Sequence, residues 1–456
     1  MTSRREFLLS AGAIAATRPS LFGLPHVRMS PDRPRPTTSQ LEWQRDELAM
    51  FLHFGVNTFS DREWGDGKEE PATFNPSALD ARQWTRAAKA AGFRTAILTA
   101  KHHDGFCLWP TATTDHSVAK SSFRGGNGDV VREFTDACKA EGLKAGLYLS
   151  PWDRNAPVYG DIPRYNDMYA AQLTELLTRY GPVHEVWFDG ANGEGPNGKK
   201  QTYDWPRVHA IVRKLQPKAV MFSDAGPDVR WIGNENGSAG ETNWSTVDPS
   251  VVQAPGVSGP GVTKMLQQGD PNGSVWRPGE TDVSIRPGWF YHPAEDARVR
   301  SVENLVSLYF SSVGRNSKLL LNVPPTRQGL LHDVDVTRLA GMHQRLDALF
   351  ANDLARGGKV ARHVENRSAT IEVDLHQPTT VGLVELSEQI EHGQAVARYV
   401  VEGHDGGAWR TLSRGTTIGY RKLDRFAPVA VQRVRLTVED ALAKPDGVRM
   451  RLFAGS

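Results

Sequence analysis

Short apolar segments alternate with longer amphipathic segments from about residue 48 to about residue 350. Apolar runs of this length predict buried strands, and apolar residues three or four positions apart predict helices that cover them. The predicted strands are "MFLHFGVNTF", "RTAILTAKHHDGF", "KAGLYLSPWD", "HEVWFDG", "AVMFSDA", "VSIRPGW" and "KLLLNVPPT". The predicted helices include "ARQWTRAAKAAG", "DVVREFTDACKAEG", "YAAQLTELLTRYG", "WPRVHAIVRKLQP" and "RVRSVENLVSLYFSSVG". This alternation indicates repeated βα units.

The number and spacing of these units favour one closed barrel. Seven or so strands in about 300 residues fit a (β/α)8 barrel of the TIM type, with some helices irregular or missing, better than an open sheet. No glycine-rich nucleotide-binding motif follows the first strand. We therefore predict an α/β catalytic domain over residues 37–352. In such barrels the reacting groups lie at the carboxyl ends of the strands.

The pattern changes to strand-like alternation without helices after "LDALFANDLARGG". Segments such as "SATIEVDL", "ARYVVEGHD" and "VQRVRLTVED" predict an all-β sandwich or jelly roll over residues 353–456. Modules of this kind bind carbohydrate in some proteins and only support a neighbouring domain in others. The sequence leaves both roles open.

Composition and charge exclude several classes of function. A net charge of +2 on 456 residues gives no reason to expect nucleic acid or an anionic membrane as a partner. Two cysteines, Cys107 and Cys138, are too few for a disulfide scaffold or a cysteine-rich zinc site. The composition, 39% hydrophobic, is typical of a soluble globular protein, and its 12 tryptophans supply rings on which sugars can stack.

The amino terminus has the pattern of an export signal. Arg4 and Arg5 precede a short apolar stretch from Phe7 to Ala16, which predicts a twin-arginine signal. The stretch is too short to span a bilayer and runs into proline-rich sequence, so an ordinary first helix is the weaker interpretation. We expect residues 1–36 to be signal and linker, and the protein to reach the periplasm or beyond.

The predicted strand "HEVWFDG" ends in an acid, Asp189. A carboxylate at the end of a buried strand is costly unless it is hydrogen-bonded or used in chemistry. Strand alternation places Trp187 and Asp189 on one face, with Val186 and Phe188 directed to the helices. The alternative is that Asp189 only caps the Asp-Gly turn that follows it.

The second predicted strand ends in "KHHDGFCLWPT", which presents Lys101, His102, His103 and Asp104 in succession. Two histidines and an acid suggest a metal ion at first sight. Adjacent strand residues point to opposite faces, however, so the two imidazoles can share an ion only if the strand has already ended. Histidines that hydrogen-bond to sugar hydroxyls are the simpler interpretation, and we expect no metal or other cofactor.

Aromatic and polar residues follow the other predicted strands as well. The first strand carries His53, which on its own would be an ordinary core histidine, and the loop after it carries Glu63 and Trp64. The third strand contributes Tyr148 before "SPWD". No G-x-S-x-G nucleophile motif occurs. Rings, imidazoles and carboxylates together are typical of a site for a neutral, polyhydroxylated substrate.

At these motifs the chain resembles the α-L-fucosidases of glycoside hydrolase family 29. The similarity runs in order through "FLHFG", "EWGDG", "KHHDGFCLWPT", "GLYLSPWD", "VWFDG", "RWIGNENG" and "NWST". Among the branches of this family, the chain most resembles the one that prefers α-1,3/1,4-linked fucose on branched oligosaccharides. The resemblance implies an irregular (β/α)8 barrel followed by a β-sandwich.

The resemblance also implies roles for individual residues. Asp189 matches the catalytic nucleophile, and Glu235 in "RWIGNENG" is the matching choice for the acid/base, with Glu241 and Glu280 as rivals. Arg230 is a weaker candidate for a sugar contact. The positions that match fucose-binding residues are His53, Glu63, Trp64, His102, His103 and Trp187. Trp187, Trp289 and Phe290 are candidates for an apolar wall against the C6 methyl group.

The implied activity is retaining hydrolysis of terminal fucose from a fucosylated oligosaccharide or glycoconjugate. Its alternatives are a fucosidase of broad specificity, a metal-dependent barrel hydrolase that uses "KHHD", and a catalytically silent carbohydrate-binding protein. A silent protein would have lost an acid, whereas both Asp189 and Glu235 are present.

Overall fold

The computed structural model describes residues 33–455, which form a parallel barrel followed by an antiparallel sheet domain. The predicted export signal lies almost entirely outside the described residues. Within residues 33–455, no helix is both long enough and apolar enough to cross a membrane.

Eight parallel strands form the barrel, namely β1 (Leu48–Leu52), β2 (Thr95–Lys101), β3 (Lys144–Leu149), β4 (Glu185–Trp187), β5 (Val220–Ser223), β6 (Val229–Trp231), β9 (Gly279–Ser284) and β10 (Ser317–Asn322). They close in the order β1-β10-β9-β6-β5-β4-β3-β2. A two-stranded ribbon, β7 (Thr246–Val247) and β8 (Val275–Trp276), interrupts the chain between β6 and β9. The prediction of a (β/α)8-type barrel is therefore confirmed.

Helices cover most of the barrel and begin where the sequence supplies caps. They are α1 (Thr38–Asp46), the short α2 (Val56–Ser60), α3 (Ala81–Ala90), α4 (Val130–Glu141), α5 (Ile162–Arg179), α6 (Trp205–Leu215), α7 (Pro260–Gln268), α8 (Val302–Ser311) and α9 (Asp333–Phe350). The side chains of Asp80, Asp129, Asp161 and Asp204 cap α3 to α6 by accepting hydrogen bonds from backbone N–H groups. No helix lies between β5 and β6, which residues 224–228 connect directly.

Three strand predictions need correction. The first predicted strand ends at Leu52, and Val56–Ser60 within it is a short helix. The strand predicted at "VSIRPGW" begins earlier, and it spans Gly279–Ser284. Its first four residues, "GETD", are mostly polar, so they do not extend the apolar run on which the prediction was based. The three-residue strand Val229–Trp231 was missed for its shortness, and it carries an arginine at its centre.

Alternate strand residues fill the barrel interior in layers. Along β4 and the two residues that follow it, Glu185, Trp187 and Asp189 alternate with Val186 and Phe188, which belong to the apolar cluster under the helices. The layer at the amino ends of the strands holds Glu185, Glu280 and Lys318, and the middle layer is mostly aromatic and aliphatic. The middle layer includes Phe51, Tyr148, Trp187, Phe222, Trp231 and Leu320. Polar residues follow at the carboxyl ends, so the candidate site lies on an apolar floor.

The carboxyl-terminal domain is one antiparallel sheet of six strands. They are β11 (Lys359–Val364), β12 (Ala369–Ser387), β13 (Val396–His404), β14 (Trp409–Gly415), β15 (Lys422–Ala441) and β16 (Arg449–Phe453). Register shifts interrupt the long β12 and β15 pairing, and residues from both halves of these strands share one apolar core. The predicted all-β domain is therefore confirmed.

Ion pairs and apolar contacts fix this domain to the barrel. Arg421 of the β domain donates to Glu47, which follows α1, at 2.9 Å and to Glu385 on β12 at 2.7 Å. Leu383, Leu423 and Phe453 extend the apolar cluster under the barrel helices. The domain therefore supports the barrel from its side.

Candidate active site

Asp189 lies two residues beyond the end of β4, at the carboxyl end of the barrel, and is 7% exposed. The backbone N–H of Ala191 donates to its Oδ1 at 2.7 Å, and the Tyr148 hydroxyl donates to its Oδ2 at 3.3 Å. These donors hold the carboxylate in one orientation. Capping of the turn therefore explains the contact of Oδ1 with Ala191, but it does not explain the contact of Oδ2 with Tyr148.

His102 and His103 lie side by side because β2 has ended before them. The strand stops at Lys101 after a register shift against β3, and the two imidazole centroids are 4.1 Å apart. His102 stacks on Tyr148 at 5.8 Å, while His103 packs against Trp152 at 5.0 Å. Burial lowers the pKa of His102 well below its ordinary value, and it is therefore neutral at neutral pH.

His53 follows β1 directly and is held in one tautomer. Its Nδ1 lies 2.8 Å from Oδ1 of Asn322, whose own Nδ2 donates to Ser284 and to the carbonyl of Trp289. Because that amide oxygen can only accept, Nδ1 of His53 carries the proton. Burial lowers the pKa of His53 to about 4. The neutral ring therefore keeps Nε2 as a hydrogen-bond acceptor.

The orientation of His103 is fixed in the same way by Ser150. Nδ1 of His103 lies 2.7 Å from the Ser150 hydroxyl, which donates to the carbonyl of Trp152 at 2.7 Å. A hydroxyl has one proton, so Ser150 accepts from Nδ1 of His103 and fixes the orientation of the ring. The acceptor nitrogen of the neutral His53 suits the hydroxyl donors of a sugar.

Glu63 joins the loop after β1 to the loop after β9. Its carboxylate accepts hydrogen bonds from the backbone N–H groups of Trp289 and Phe290 and lies 3.1 Å from Nε2 of His292. Nδ1 of His292 lies 2.9 Å from Asp61. The hydrogen bond to Glu63 raises the pKa of His292 to about 9, so its ring is a cation between two carboxylates.

Two aromatic groups border the histidines at the mouth. Trp64 packs edge to face on His103 at 5.7 Å and on Trp152 at 5.9 Å. On the opposite side, Trp289 lies 5.1 Å from His53, and Phe290 lies 5.1 Å from His102. The rings and imidazoles therefore form one continuous set of contacts at the carboxyl ends of the strands.

Trp187 lies deeper than we expected. Its indole is 2% exposed, stacks on Phe222 at 4.1 Å and on Tyr148 at 5.3 Å, and donates from Nε1 to Glu280 at 2.9 Å. It therefore supports Tyr148 from below and does not form the wall of the mouth. The alternation along the strand correctly predicted that Trp187 points into the barrel, but it did not predict how deep the indole lies.

The three candidate acids occupy different places. Glu235 is half-buried in the loop after β6, on a segment folded by the side chains of Asn234 and Asn236, which accept from backbone N–H groups two residues ahead. Glu241 is 73% exposed and pairs with Arg315 and Lys422 at the junction with the β domain. Glu280 lies fully buried at the amino end of β9, on the far side of Trp187. Only Glu235 lies at the carboxyl ends of the strands.

Arg230 is not among the residues at the mouth. Its guanidinium is 1% exposed and donates to the carbonyls of Leu266, Arg277 and Trp244 and to the side chain of Asn243. These contacts hold the segment between β6 and β9 against the barrel. Position 230 alternates with the inward residues Val229 and Trp231, so its side chain faces outward.

The remaining members of "KHHD" are engaged in local contacts. Lys101 pairs with Asp153 at 3.0 Å and with Gln172 at 2.9 Å, and Asp104 accepts from the backbone of Phe106 and from Asn57. Within residues 33–455, no group of three or more histidines, cysteines, aspartates or glutamates could hold a metal ion.

Several residues that shape the site were missed in the sequence. Asn322 and Ser150 orient the imidazoles, and His292 pairs with Glu63. Asn322 ends the run "KLLLN", so the rule that polar residues at strand ends form the site points to it. Ser150 and His292 carry no such signal, because their roles depend on contacts between separate loops.

A buried carboxylate at a strand end of a closed barrel, among oriented imidazoles and aromatic rings, defines a class of protein: a barrel glycoside hydrolase. Comparison with known proteins narrows this class. A family model described as alpha-L-fucosidase matches residues 33–348. Alpha-L-fucosidase 1 of Arabidopsis thaliana is 42% identical over 460 residues, which cover 93% of this chain and 89% of the plant protein.

Solved structures agree over both domains. A glycoside hydrolase 29 family member from an unknown rumen bacterium is 41% identical, with a TM-score of 0.88 over 94% of this chain and 78% of its own. A Ruminococcus gnavus fucosidase of the same family, solved with fucose, is 31% identical, with a TM-score of 0.83 over 94% and 96% of the two chains. The chain belongs to the α-L-fucosidase family, glycoside hydrolase family 29, and is an α-L-fucosidase that acts on fucosylated glycans.

Proposed function

We propose that the enzyme is a retaining exo-α-L-fucosidase in which Asp189 is the nucleophile and Glu235 the acid/base. The carboxylate of Asp189 attacks C1 of the terminal fucose while Glu235 protonates the departing glycosidic oxygen. Water, activated by the same Glu235, then attacks the fucosyl–Asp189 ester and releases fucose with its configuration retained.

The observation that carries the proposal is the setting of Asp189. A nucleophile must be directed at the reacting carbon, and the N–H of Ala191 and the hydroxyl of Tyr148 each hold one oxygen of Asp189. The carboxylate is directed from β4 into the space that His53, His102 and His103 border. Burial at the strand end also excludes much of the water that would compete for these hydrogen bonds.

Glu235 is the acid whose place in the barrel suits proton transfer. One strand, β5, separates β4 from β6, so the two strands are about 10 Å apart. Two carboxyl groups that reach inward across that gap approach the separation of about 5 to 5.5 Å that retention requires. Glu241 and Glu280 lie elsewhere, as their ion-pair and indole contacts show.

The remaining mouth residues suit the sugar. Nε2 of His53 accepts from a hydroxyl group, because Asn322 fixes the proton on Nδ1. Trp289, half-buried beside His53, offers an apolar surface to the C6 methyl group that distinguishes fucose from galactose. The fully buried Phe290 supports His102 from behind.

We further propose that the substrate is α-1,3/1,4-linked fucose on branched oligosaccharides and that the protein is exported. The motif order quoted above supports the linkage, and Arg4 and Arg5 before the apolar stretch support export. A fucosidase of broad specificity is the alternative.

Fucose release from two substrates tests the proposal. The protein without residues 1–36 is incubated with an aryl α-L-fucoside and with a branched oligosaccharide that carries α-1,3/1,4-linked fucose. We expect release from the branched glycan in preference, with α-L-fucose as the first anomer seen by proton NMR. β-L-Fucose as the first anomer would contradict retention, and equal rates would contradict the linkage preference.

A further inference from the structure

Three ionisable side chains lie together in the closed end of the barrel, beneath the site. Glu185 begins β4, Glu280 is the second residue of β9, and Lys318 is the second residue of β10. None of them is more than 1% exposed. Lys318 lies 3.3 Å from Oε2 of Glu185, which also accepts from Trp43 at 2.9 Å.

The charges of this group balance only if one carboxyl group holds a proton. Two carboxylates and one ammonium would leave a net negative charge in the fully buried interior of the barrel, which is strongly unfavourable. Oε1 of Glu185 and Oε2 of Glu280 are both buried without a donor. One proton shared between these two oxygens satisfies both atoms and makes the group neutral.

Glu280 is the residue that holds this proton. Glu185 is the ion-pair partner of Lys318 and accepts from Lys318 and from Trp43 on one oxygen. Burial and the neighbouring Glu185 raise the pKa of Glu280 well above its ordinary value. The other oxygen of Glu280 accepts from Nε1 of Trp187 at 2.9 Å.

The contacts of Trp187 lead from this group to the site. Its indole stacks on Tyr148 at 5.3 Å with an angle of 29° between the rings, and the hydroxyl of Tyr148 donates to Asp189. The hydrogen bond to Glu280 fixes the in-plane position of the indole, which stacking alone leaves able to slide. A displaced indole would move Tyr148 and weaken its hydrogen bond to Asp189.

We propose that Glu280 is a positioning residue that acts through Trp187 and Tyr148 on Asp189, and that it does so as a neutral acid sharing its proton with Glu185. The proposal rests on the proposed role of Asp189 as nucleophile. It assigns to the closed end of the barrel a part in the orientation of the reacting carboxylate.

Two substitutions of Glu280 separate the functions of its side chain. Glu280→Gln keeps an acceptor for Trp187 and supplies an N–H donor to Glu185, so we expect kcat within about twofold of the wild type. Glu280→Leu removes both, and we expect kcat to fall about tenfold with KM nearly unchanged, since one hydrogen bond is worth about that factor. In Glu280→Leu, the acid limb of the pH profile of kcat/KM should move to higher pH. In Glu280→Gln, it should lie at its wild-type position.

Asp335→Asn serves as the control for a general loss of stability. Asp335 is fully buried, pairs with Arg286 and lies on α9 outside the barrel. We expect its substitution to lower the melting temperature without moving the acid limb. An unchanged kcat and acid limb in Glu280→Leu would overturn the positioning role. A shift of the same size in Asp335→Asn would also overturn it.

Infrared spectroscopy tests the shared proton without relying on a destabilised variant. We expect the difference spectrum between wild type and Glu280→Gln at neutral pH to contain the carbonyl stretch of a protonated carboxylic acid. Its absence would overturn the neutral Glu280. Trp187→Phe, which removes the five-membered ring of the indole together with its N–H, should reproduce the acid-limb shift if Glu280→Leu fails to fold. Activity retained in Asp189→Ala would instead refute the nucleophile, while the infrared result would still stand.

Discussion

The neutral, buried state of His53 gives a quantitative prediction about acid stability. His53 is 4% exposed, and its pKa is lowered from 6.5 to about 4 by burial. In the unfolded chain the same imidazole binds a proton below pH 6.5, so acid favours the unfolded state. The stabilising contribution is therefore present above pH 6.5 and is lost as the pH falls towards 4.

The magnitude follows from the size of the pKa shift. The difference between 6.5 and about 4, at 1.36 kcal/mol for each pKa unit, corresponds to about 3 kcal/mol in the free energy of unfolding. His53→Asn removes this dependence, since its amide N–H can take the place of Nδ1–H towards Asn322 and does not titrate. Its smaller volume should cost about 1 kcal/mol at every pH.

Urea unfolding of wild type and His53→Asn across this pH range measures the effect. We expect the two free energies of unfolding to converge and then cross as the pH falls, because only the wild type loses the His53 contribution. His363→Asn is the matched control, because His363 has a side chain 75% exposed. Parallel curves for wild type and His53→Asn would refute the neutral, buried His53.

Three further outcomes follow from the site. Asp189→Asn should reduce kcat at least 1000-fold while fucose binding by calorimetry persists, and near wild-type turnover would exclude Asp189 as nucleophile. Arg230→Met should lower the free energy of unfolding by about 3 to 5 kcal/mol, because four acceptors lose their donor, with KM unchanged in the folded protein; a raised KM would instead place Arg230 in sugar binding. His292 has a raised pKa, so its stabilising contribution is complete below 6.5 and is lost as the pH rises through about 9. His292→Ala should lose this alkaline dependence of the melting temperature, and an unchanged dependence would refute the ion pairs of His292.

Much of the fold was predictable because its physical signals are local. Buried parallel strands appear in the sequence as runs of apolar residues. The helices α3 to α6 each begin directly after an aspartate that caps them. The alternation of β4 correctly separated Trp187 and Asp189 from Val186 and Phe188. A three-residue strand such as Val229–Trp231 has too few positions to show any period.

The site was predictable only where strand ends alone determine it. Asp189 and the adjacent histidines stand at such ends, so the barrel rule was enough to select them. The depth of Trp187 and the outward direction of Arg230 depend on barrel stagger and on a long insertion after β6. The contacts of His292 join residues more than 200 positions apart, and no local pattern encodes them.

Chemical trapping tests the central claim most directly. A fluorinated fucosyl fluoride that forms a slowly hydrolysed ester would be reacted with the wild-type enzyme, followed by peptide mass mapping. We predict one fucosyl group per chain, attached to Asp189 in the peptide that contains "HEVWFDGANG", and no labelling of Asp189→Asn. A label on another carboxylate, or turnover without any covalent intermediate, would contradict the account.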